Sequence, residues 1–586
     1  MTTSEPAQLT REEATARLTG PGGEFEITRE TIRGVDLKVW KNAPRSLRDI
    51  LAASRAHGDQ KFLVYEGEHL TFAEHFRAAA AFANALRDRF GIEKGDRVAI
   101  AMRNYPEWSI AFWGAAAAGA IVVPLNAWWK GGELEYGLTD SGSRFLVADE
   151  QRFAELYSRL DALPLLRGLA VARTDTSLPS GVLRFEGLYS GAAGDVDLPP
   201  VELEPDDDAT IFYTSGTTGL PKGALGTHRN ITSNLTSLEF LGKLRELRFA
   251  PGVVDTTPSA HETLAPRTGL APPAEAPKLA SLLTVPFFHV TGCHSTLVPS
   301  LKLGTKLVLV YKFVPEQVVE LIERERVTSF GGVPSIAWQV LEAANFGKHD
   351  LSSVLRIGYG GAPAAPDLVR RLNQTFPNVA LSNGYGLTES SSVTSSNAGD
   401  DYLRKPTSVG PPVPVCEVKV VDDEGRALPV GEAGELLIKG PNIIKEYWGK
   451  PEATAAAITD GWLHSGDVAR LDDEGFIYLV DRKKDIVIRG GENVYCVEVE
   501  AALCEHPEVL DAAVFGIPHR VLGEEVAAAV KVRAGSSATE EELRRHAAAL
   551  LARFKVPVRI EIRHEDFPRN PNGKILKREL REAMVR

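Results

Sequence analysis

The chain has 586 residues, 44% of them hydrophobic and 25% charged, with a formal net charge of −12. That length exceeds what one hydrophobic core sustains, so two or more domains are expected. The acidic balance argues against nucleic-acid binding, which needs a basic footprint, and four cysteines at 293, 416, 496 and 504 are too sparse for a disulfide framework, so a reduced, cytoplasmic setting is expected.

The N-terminus, Met1-Thr-Thr-Ser-Glu-Pro6, lacks the basic start and apolar run of a signal peptide. The uncharged stretch 108–129 is long enough to raise the question of a membrane span. Gly114, Gly119, Pro124 and Asn126 interrupt it. Its first half reads as a buried Ala-rich helix following a strand at Arg97–Ala101, and 120–123 reads as a short buried strand. No transmembrane segment is expected.

Next comes Tyr213-Thr-Ser-Gly-Thr-Thr-Gly-Leu-Pro-Lys222-Gly223. Gly216, Gly219 and Gly223 let the backbone approach an anion and turn its N–H groups toward it. Thr214, Ser215, Thr217 and Thr218 offer hydroxyls, and Lys222 a compact positive charge. The plain alternative is a polar surface turn. A Walker A loop fails, because Pro221 precedes the lysine and Gly223 follows it.

Residues 244–277 are rich in Pro, Ala and Thr and lack clear periodicity. A loop this long reads as a surface insertion or as a cover over a pocket mouth. His289, Cys293 and His294 follow closely but have no fourth ligand at metal-site spacing, so a polar pocket wall is expected rather than zinc.

Strands at 305–310, 327–331 and 355–359 alternate with helices at 315–327 and 366–376. This alternation predicts an α/β fold with parallel-rich sheets covered on both faces. Ligands in such sheets sit beyond the carboxyl ends of strands, where Gly360-Gly361 and Gly384-Tyr385-Gly386 fall. From about Val413, shorter strands at Glu417–Val421, Gly434–Lys439 and 476–480 predict an antiparallel subdomain. After Arg482 a compact α/β unit is expected: strands at 512–515, 526–532 and Arg559–Arg563, and a helix from about Glu540. Thr539 and Glu542 read as its capping box.

The Thr/Ser/Gly loop resembles the signature loop of the adenylate-forming (ANL) superfamily, which includes acyl-CoA synthetases and other AMP-dependent ligases. Further motifs of that family follow in order: Pro286-Phe-Phe-His289, Tyr359-Gly-Gly-Ala-Pro363, Gly384-Tyr-Gly-Leu-Thr-Glu389, Gly461-Trp-Leu-His-Ser-Gly-Asp467, Asp481-Arg-Lys-Lys-Asp485, Gly490-Gly-Glu-Asn-Val-Tyr-Cys-Val-Glu-Val-Glu500 and Pro571-Asn-Gly-Lys574. The resemblance runs from about residue 45 to the C-terminus. Residues 1–44 lie outside it, as an ordered arm or a partner surface. Residues 244–277 lengthen the spacing to His289 beyond the family's pattern.

The resemblance implies a large N-terminal domain, 1–481, and a small mobile α/β lid, 482–586, hinged near Lys484. It implies activation of a carboxylic acid by ATP as acyl-AMP, with release of pyrophosphate, then transfer to coenzyme A, with Mg2+ as cofactor. On that reading Thr214, Ser215, Gly216, Thr217, Thr218, Gly219 and Lys222 hold the β- and γ-phosphates. Thr388 meets a phosphate and Glu389 the magnesium. Tyr385, followed by Gly386, stacks on adenine, which Gly361 and Ala362 border. Asp467 and Arg482 contact the ribose. Lys574 bridges the acid carboxylate and the α-phosphate. His289 gates the acyl pocket, and Gly490 and Gly491 line a pantetheine tunnel. Candidate pocket walls are Thr291, Gly292, Gly331, Gly332, Tyr359, Gly360 and Ser382. Their glycines and lack of charge imply a roomy apolar pocket for a medium- or long-chain fatty acid or a bulky cyclic or aryl acid. The rival readings are a ligase with an amine or carrier-protein acceptor and a non-catalytic acyl or nucleotide sensor; the presence of Lys574 and Glu389 speaks against the sensor. A homodimer is compatible with all of these.

Overall fold

The computed structural model describes residues 9–191, 194, 196–214, 220–249, 278–361, 366–377, 379–490, 492–570 and 574–585. Two eight-stranded sheets form the large domain. The first runs in the order Glu446–Tyr447, Lys222–Thr227, Asp208–Thr214, Ile121–Pro124, Arg97–Ala101, Phe145–Asp149, Gly168–Ala172, Val182–Arg184. From Asp208–Thr214 onward its pairings are parallel. The second runs Ser395–Ala398, Ala380–Tyr385, Arg356–Gly360, Ser329–Gly332, Ala280–Leu283, Lys306–Leu309, Lys61–Tyr65, Glu68–Thr71, parallel except at its two edges.

The uncharged stretch resolves as expected into a helix and a strand. Pro106–Ala117 starts with proline in its first turn and is buried along its whole length. Trp108 and Trp113 are fully buried and Phe112 stacks on Trp108. The strand Ile121–Pro124 follows inside the first sheet. No helix among the described residues is long and apolar enough to cross a membrane.

Some boundaries shift for local reasons. The helix expected at 315–327 is Pro315–Arg324, because Arg326 adopts a left-handed φ of 50° that ends it. Its buried face is Val318, Val319 and Ile322. Leu244 is not loop: the helix His228–Phe249 carries straight through it, and Leu244 is buried with Phe240 and Trp40. The rest of that expected loop, from 250, lies outside the described residues. The capping box at Thr539 is half made. Thr539 Oγ1 accepts from the Glu542 N–H at 3.3 Å, whereas the Glu542 carboxylate lies 3.7 Å from His506.

Residues ahead of the family resemblance form an arm on the long helix. A helix, Arg11–Thr19, and a hairpin, Ile27–Ile32 with Val35–Trp40, pack there. Trp40 Nε1 donates to Ser237 Oγ at 3.0 Å, and Phe25, Trp40 and Phe240 make one aromatic cluster.

The expected antiparallel subdomain has Glu417–Val421, Gly434–Lys439 and Trp462–Leu471, with Ile458–Thr459 and Ile477–Arg482 both on Trp462–Leu471. Arg482 is the last residue of that sheet, opposite Asp467. A turn at 483–486 then leads to the C-terminal sheet, where Val509–His519, Gly523–Val532 and Arg559–Arg563 form the centre. Its own core includes Val499, Val514, Val526 and Val530, which suits a separately folded lid.

Candidate functional site

The hydroxyl- and glycine-rich loop is the turn of an antiparallel hairpin. Thr214 pairs with Lys222 at its open end, and residues 215–219, between them, lie outside the described residues. Of the loop's expected phosphate ligands, the structure therefore describes Thr214 and Lys222. The Lys222 Nζ lies 4.6 Å from the centroid of the Tyr447 ring. Tyr447 reaches it because Ala224 pairs with Tyr447 across the sheet edge. The Tyr447 hydroxyl donates to Glu389 Oε1 at 2.6 Å. One tyrosine thus joins the loop lysine to the motif carboxylate. No motif contains Tyr447; its signal in the sequence was only an aromatic in Lys-Glu-Tyr-Trp.

Glu389 sits in a short turn, Thr388–Ser390, just beyond the strand Ala380–Tyr385. Backbone constraint explains the second glycine of the motif. A Cβ on Gly386 would lie 1.3 Å from the Ser392 carbonyl oxygen. Beyond it Ser391 and Ser392 take φ of 53° and 104°, which L residues rarely adopt. Ser392 Oγ accepts from Ser295 Oγ at 2.7 Å, tying this loop to the segment after His289. The Glu389 carboxylate offers oxygen ligands of the kind a hard divalent cation takes.

On the other side of Tyr385, its hydroxyl donates to Asp467 Oδ2 at 2.7 Å, and Arg482 Nε lies 3.4 Å from Asp467 Oδ1. Burial pushes the Asp467 carboxyl up, against the pull of Arg482 and Tyr385. The Tyr385 phenol is also raised, first by burial and then by Asp467. Lys574 arrives from the C-terminal sheet's side. Its N–H donates to Asn570 Oδ1 at 2.9 Å, and its ammonium feels Arg482, Asp485, Lys484 and Asp467. Burial and then the Arg482 charge push Lys574 down to about 7. Lys484 lies in the 483–486 turn and is lowered mainly by burial. Tyr385, Asp467, Arg482, Lys484 and Lys574 are one cluster. Gly361 turns away from the end of Arg356–Gly360 with φ 74°, while Ala362 lies outside the described residues. Gly490 turns the hairpin Val487–Arg489 with Glu492–Val494 at φ 60° and donates to the Leu522 carbonyl, so its contact is within the lid; Gly491 lies outside the described residues.

His289 caps a short helix, its Nδ1 accepting from the Thr291 N–H at 3.3 Å, which leaves the proton on Nε2. Burial pushes it down to about 4, so it is neutral at physiological pH. The chain continues as a π-helical turn, Cys293–Leu297, in which Thr296 Oγ1 donates to the Thr291 carbonyl; such turns recur at functional sites. Gly292 is required by close packing, since a Cβ there would lie 2.2 Å from the Pro286 carbonyl oxygen.

The remaining pocket candidates divide by face. Gly331 pairs with Gly358, Gly358 with Ser382, and Gly360 with Gly384. Neighbours in register share a face, so Gly331, Gly360 and Ser382 look the same way. Gly332, paired with Tyr359, ends its strand at φ 139°. Tyr359 is corrected as a wall of that pocket. The two-residue pleat turns it to the opposite face, where its hydroxyl meets that of Tyr402 at 2.8 Å within the Phe330–Ile357 core.

Comparison with known proteins places the chain in context. The model of the AMP-binding enzyme family matches residues 51–448, and that of the AMP-binding enzyme C-terminal domain matches 498–574. A long-chain-fatty-acid–CoA ligase of Bacillus subtilis (strain 168) is 34% identical over 565 residues, covering 92% of this chain and 94% of the relative. A feruloyl-CoA synthase of Amycolatopsis sp is 35% identical over 515 residues, covering 88% and 94%. The crystal structure of the anthranilate CoA ligase AuaEII in complex with anthranoyl-AMP superposes with a TM-score of 0.79 at 26% identity, covering 92% of this chain and 97% of that one.

Proposed function

Since the chain belongs to the AMP-binding enzyme family, we propose that its site activates a bulky, largely apolar carboxylic acid, of the fatty or aryl class, and passes it to coenzyme A. The activity is that of an AMP-forming acid–thiol ligase using ATP, Mg2+ and coenzyme A. The observation that supports the residue roles best is the double convergence around Tyr385 and Tyr447. Lys222 and Glu389 meet on Tyr447, and Asp467, which accepts from the Tyr385 hydroxyl, has Arg482 at 3.4 Å and lies in the field of Lys574.

In the first half-reaction a carboxylate oxygen bonds to the α-phosphorus and the bond to pyrophosphate breaks. Both reactants are anions, so fixed positive charge is the main requirement. Lys222 and its loop neutralise the outgoing phosphates. Lys574, half-buried and lowered to about 7, becomes fully charged when anions arrive and draws carboxylate and α-phosphate together. Asp467, with Arg482 beside it, accepts from ribose hydroxyls. Glu389 is the residue that would hold magnesium, which when bound screens the phosphate oxygens. In the second half-reaction the coenzyme A sulfur bonds to the acyl carbon and AMP departs. The lid carrying Lys574 turns about Lys484 between the two steps. The feruloyl and long-chain fatty acyl relatives support the acid class.

The test is a panel of straight-chain and aryl acids scored for pyrophosphate release with and without coenzyme A. Acid-dependent release, with thioester formed only when coenzyme A is added, is the expected result. Release indifferent to the acid, or thioester absent while an amine acceptor is consumed, would overturn it.

A further inference from the structure

A cavity of about 200 Å³ opens at the amino ends of the strands whose carboxyl ends carry the adenylate site, and its lining includes Ser281, Ser295, Thr296, Ser300, Ser329 and Arg356. Leu279, Pro299, Leu303 and Leu355 also line it, so the wall mixes polar and apolar groups where the sequence led to an apolar one. Ser281 pairs with Ser329 and Ser329 with Arg356, so all three stand on one face of the second sheet. That is the face of Gly331, Gly358, Gly360 and Ser382, two and four residues further on. On that face the two strands beyond Ser329 and Arg356 carry only glycine, bordered by Leu283 on one side and Ser382 on the other. A Cβ at Gly331 would lie 1.8 Å from the Gly358 carbonyl oxygen, and one at Gly360 would lie 2.5 Å from that of Gly384. The low floor leads from the cavity toward Gly361 and Tyr385 over four residues, roughly 13 Å at the rise of a strand.

Charge at the far end is unbalanced among the described residues. The Arg356 Nε is buried without a hydrogen-bond partner. Arg245, from the last turns of the long helix, lies close enough for the two guanidiniums to repel, and burial together with that repulsion pushes Arg245 down to about 9. Glu246 attracts both, but it also faces Lys243 at 3.5 Å. Arg248 is engaged by Asp401. Two partly dry arginines with one shared carboxylate are costly unless an anion joins them.

We propose that this cavity receives the far end of the acid, and that the preferred substrate carries a second carboxylate there, held by Arg356 with Ser281 and Ser329 and supported by Arg245. This rests on the acid-activating reading above and names the acid's other end. An Arg–carboxylate pair in a desolvated pocket gives both affinity and discrimination, because the analogue lacking the carboxylate leaves the arginine unpaired.

The experiment compares straight-chain monocarboxylic acids with their ω-carboxy counterparts of equal length, using pyrophosphate release by the parent, Arg356→Met, Arg356→Lys and Arg245→Met. At the matching length the parent should favour the ω-carboxy acid in kcat/KM by roughly tenfold or more, the scale of one charge-assisted hydrogen bond. Arg356→Met should erase that preference while keeping turnover of the plain acid, Arg356→Lys should restore part of it, and Arg245→Met should weaken it. Melting curves identify any variant that has not folded, and the remaining variants then decide. Equal kcat/KM for both series in the parent, or a preference unmoved by Arg356→Met, would overturn the proposal while leaving acid activation intact. If no acid released pyrophosphate, the activity reading would fail, and calorimetric binding of the same acid pairs to parent and Arg356→Met would still decide on the cavity.

Discussion

Lys574 shows how much one residue's surroundings matter. In the sequence it is a lysine in a turn-rich Asn-Pro-Asn-Gly-Lys segment; in the structure it is half-buried and in the field of Arg482 and Lys484. Lys574→Ala should slow adenylation by roughly 10²–10³, the cost of removing a positioned electrostatic group. Conversion of pre-made acyl-adenylate to thioester should change far less. Rapid-quench measurement of the two half-reactions checks this, and an equal loss in both would refute the assignment. The depressed ammonium also has a sign for stability. Folded Lys574 sheds its proton near 7, whereas the unfolded chain holds it to about 10.5, so between those values the unfolded state binds more protons. Its contribution to stability therefore rises with pH across that window, the cost being fully present below about 7. Denaturation curves from pH 7 to 10 should show a steeper rise for the parent than for Lys574→Met. Parallel curves would mean that the lysine is not desolvated.

At the scale of elements, the motif Gly-Tyr-Gly offers two glycines that look alike in the sequence and differ in the fold. Gly384→Ala places a Cβ no nearer than 3.9 Å to the Ser395 carbonyl, whereas Gly386→Ala collides with the Ser392 backbone at 1.3 Å. Backbone cannot step aside as a flexible side chain can. Gly386→Ala should cost about 3 kcal/mol or more, beyond the usual range of overpacking, and Gly384→Ala about 1 or less. Thermal melts of the two variants make the comparison, and similar melting temperatures would contradict it. The motif glycines and the alternation of strand and helix were legible in the sequence, because they depend on local backbone geometry. Tyr447 was not, since it reaches Glu389 only through pairing across a sheet edge. The face assignment of Tyr359 was not either, since a motif fixes order along the chain but not which side of a pleat a residue takes.

At the scale of the whole molecule, two joints invite tests. The 483–486 turn connects two sheets with separate cores, and proline at 484 would fix φ near −65° there. Lys484→Pro should leave adenylation within a few-fold while thioester formation falls at least tenfold, with Lys484→Ala as the control for the lost charge. Thioester formation unchanged from pre-made adenylate would remove Lys484 as the pivot. The second joint spans 250–277, between the helix bearing Arg245 and the Leu279 wall of the polar cavity. Replacing 250–277 with a short Gly/Ser linker should cost little stability, since closure entropy changes slowly with length. It should change the ranking of acids by kcat/KM and leave the KM for ATP nearly constant. An unchanged ranking in a folded protein would make the segment a surface addition.

By itself the sequence determined the class of fold, the family and the order of the family's motifs along the chain. Those follow from local rules: hydrophobic periodicity, turn chemistry and short strings whose backbone must approach an anion. Only the tertiary structure decided which motif residues meet. It joined Lys222 to Glu389 through Tyr447, carried Leu244 to Phe249 into helix, and seated residues 1–44 on that helix from 11 onward as an arm. It also put Arg356 into the lining of a cavity at the amino ends of the second sheet's strands, with Arg245 of the long helix in its field. These are contacts between residues far apart in the chain, set by sheet register and by the pleat. Periodicity within one segment says which residues share a face, but not which other segment that face will meet.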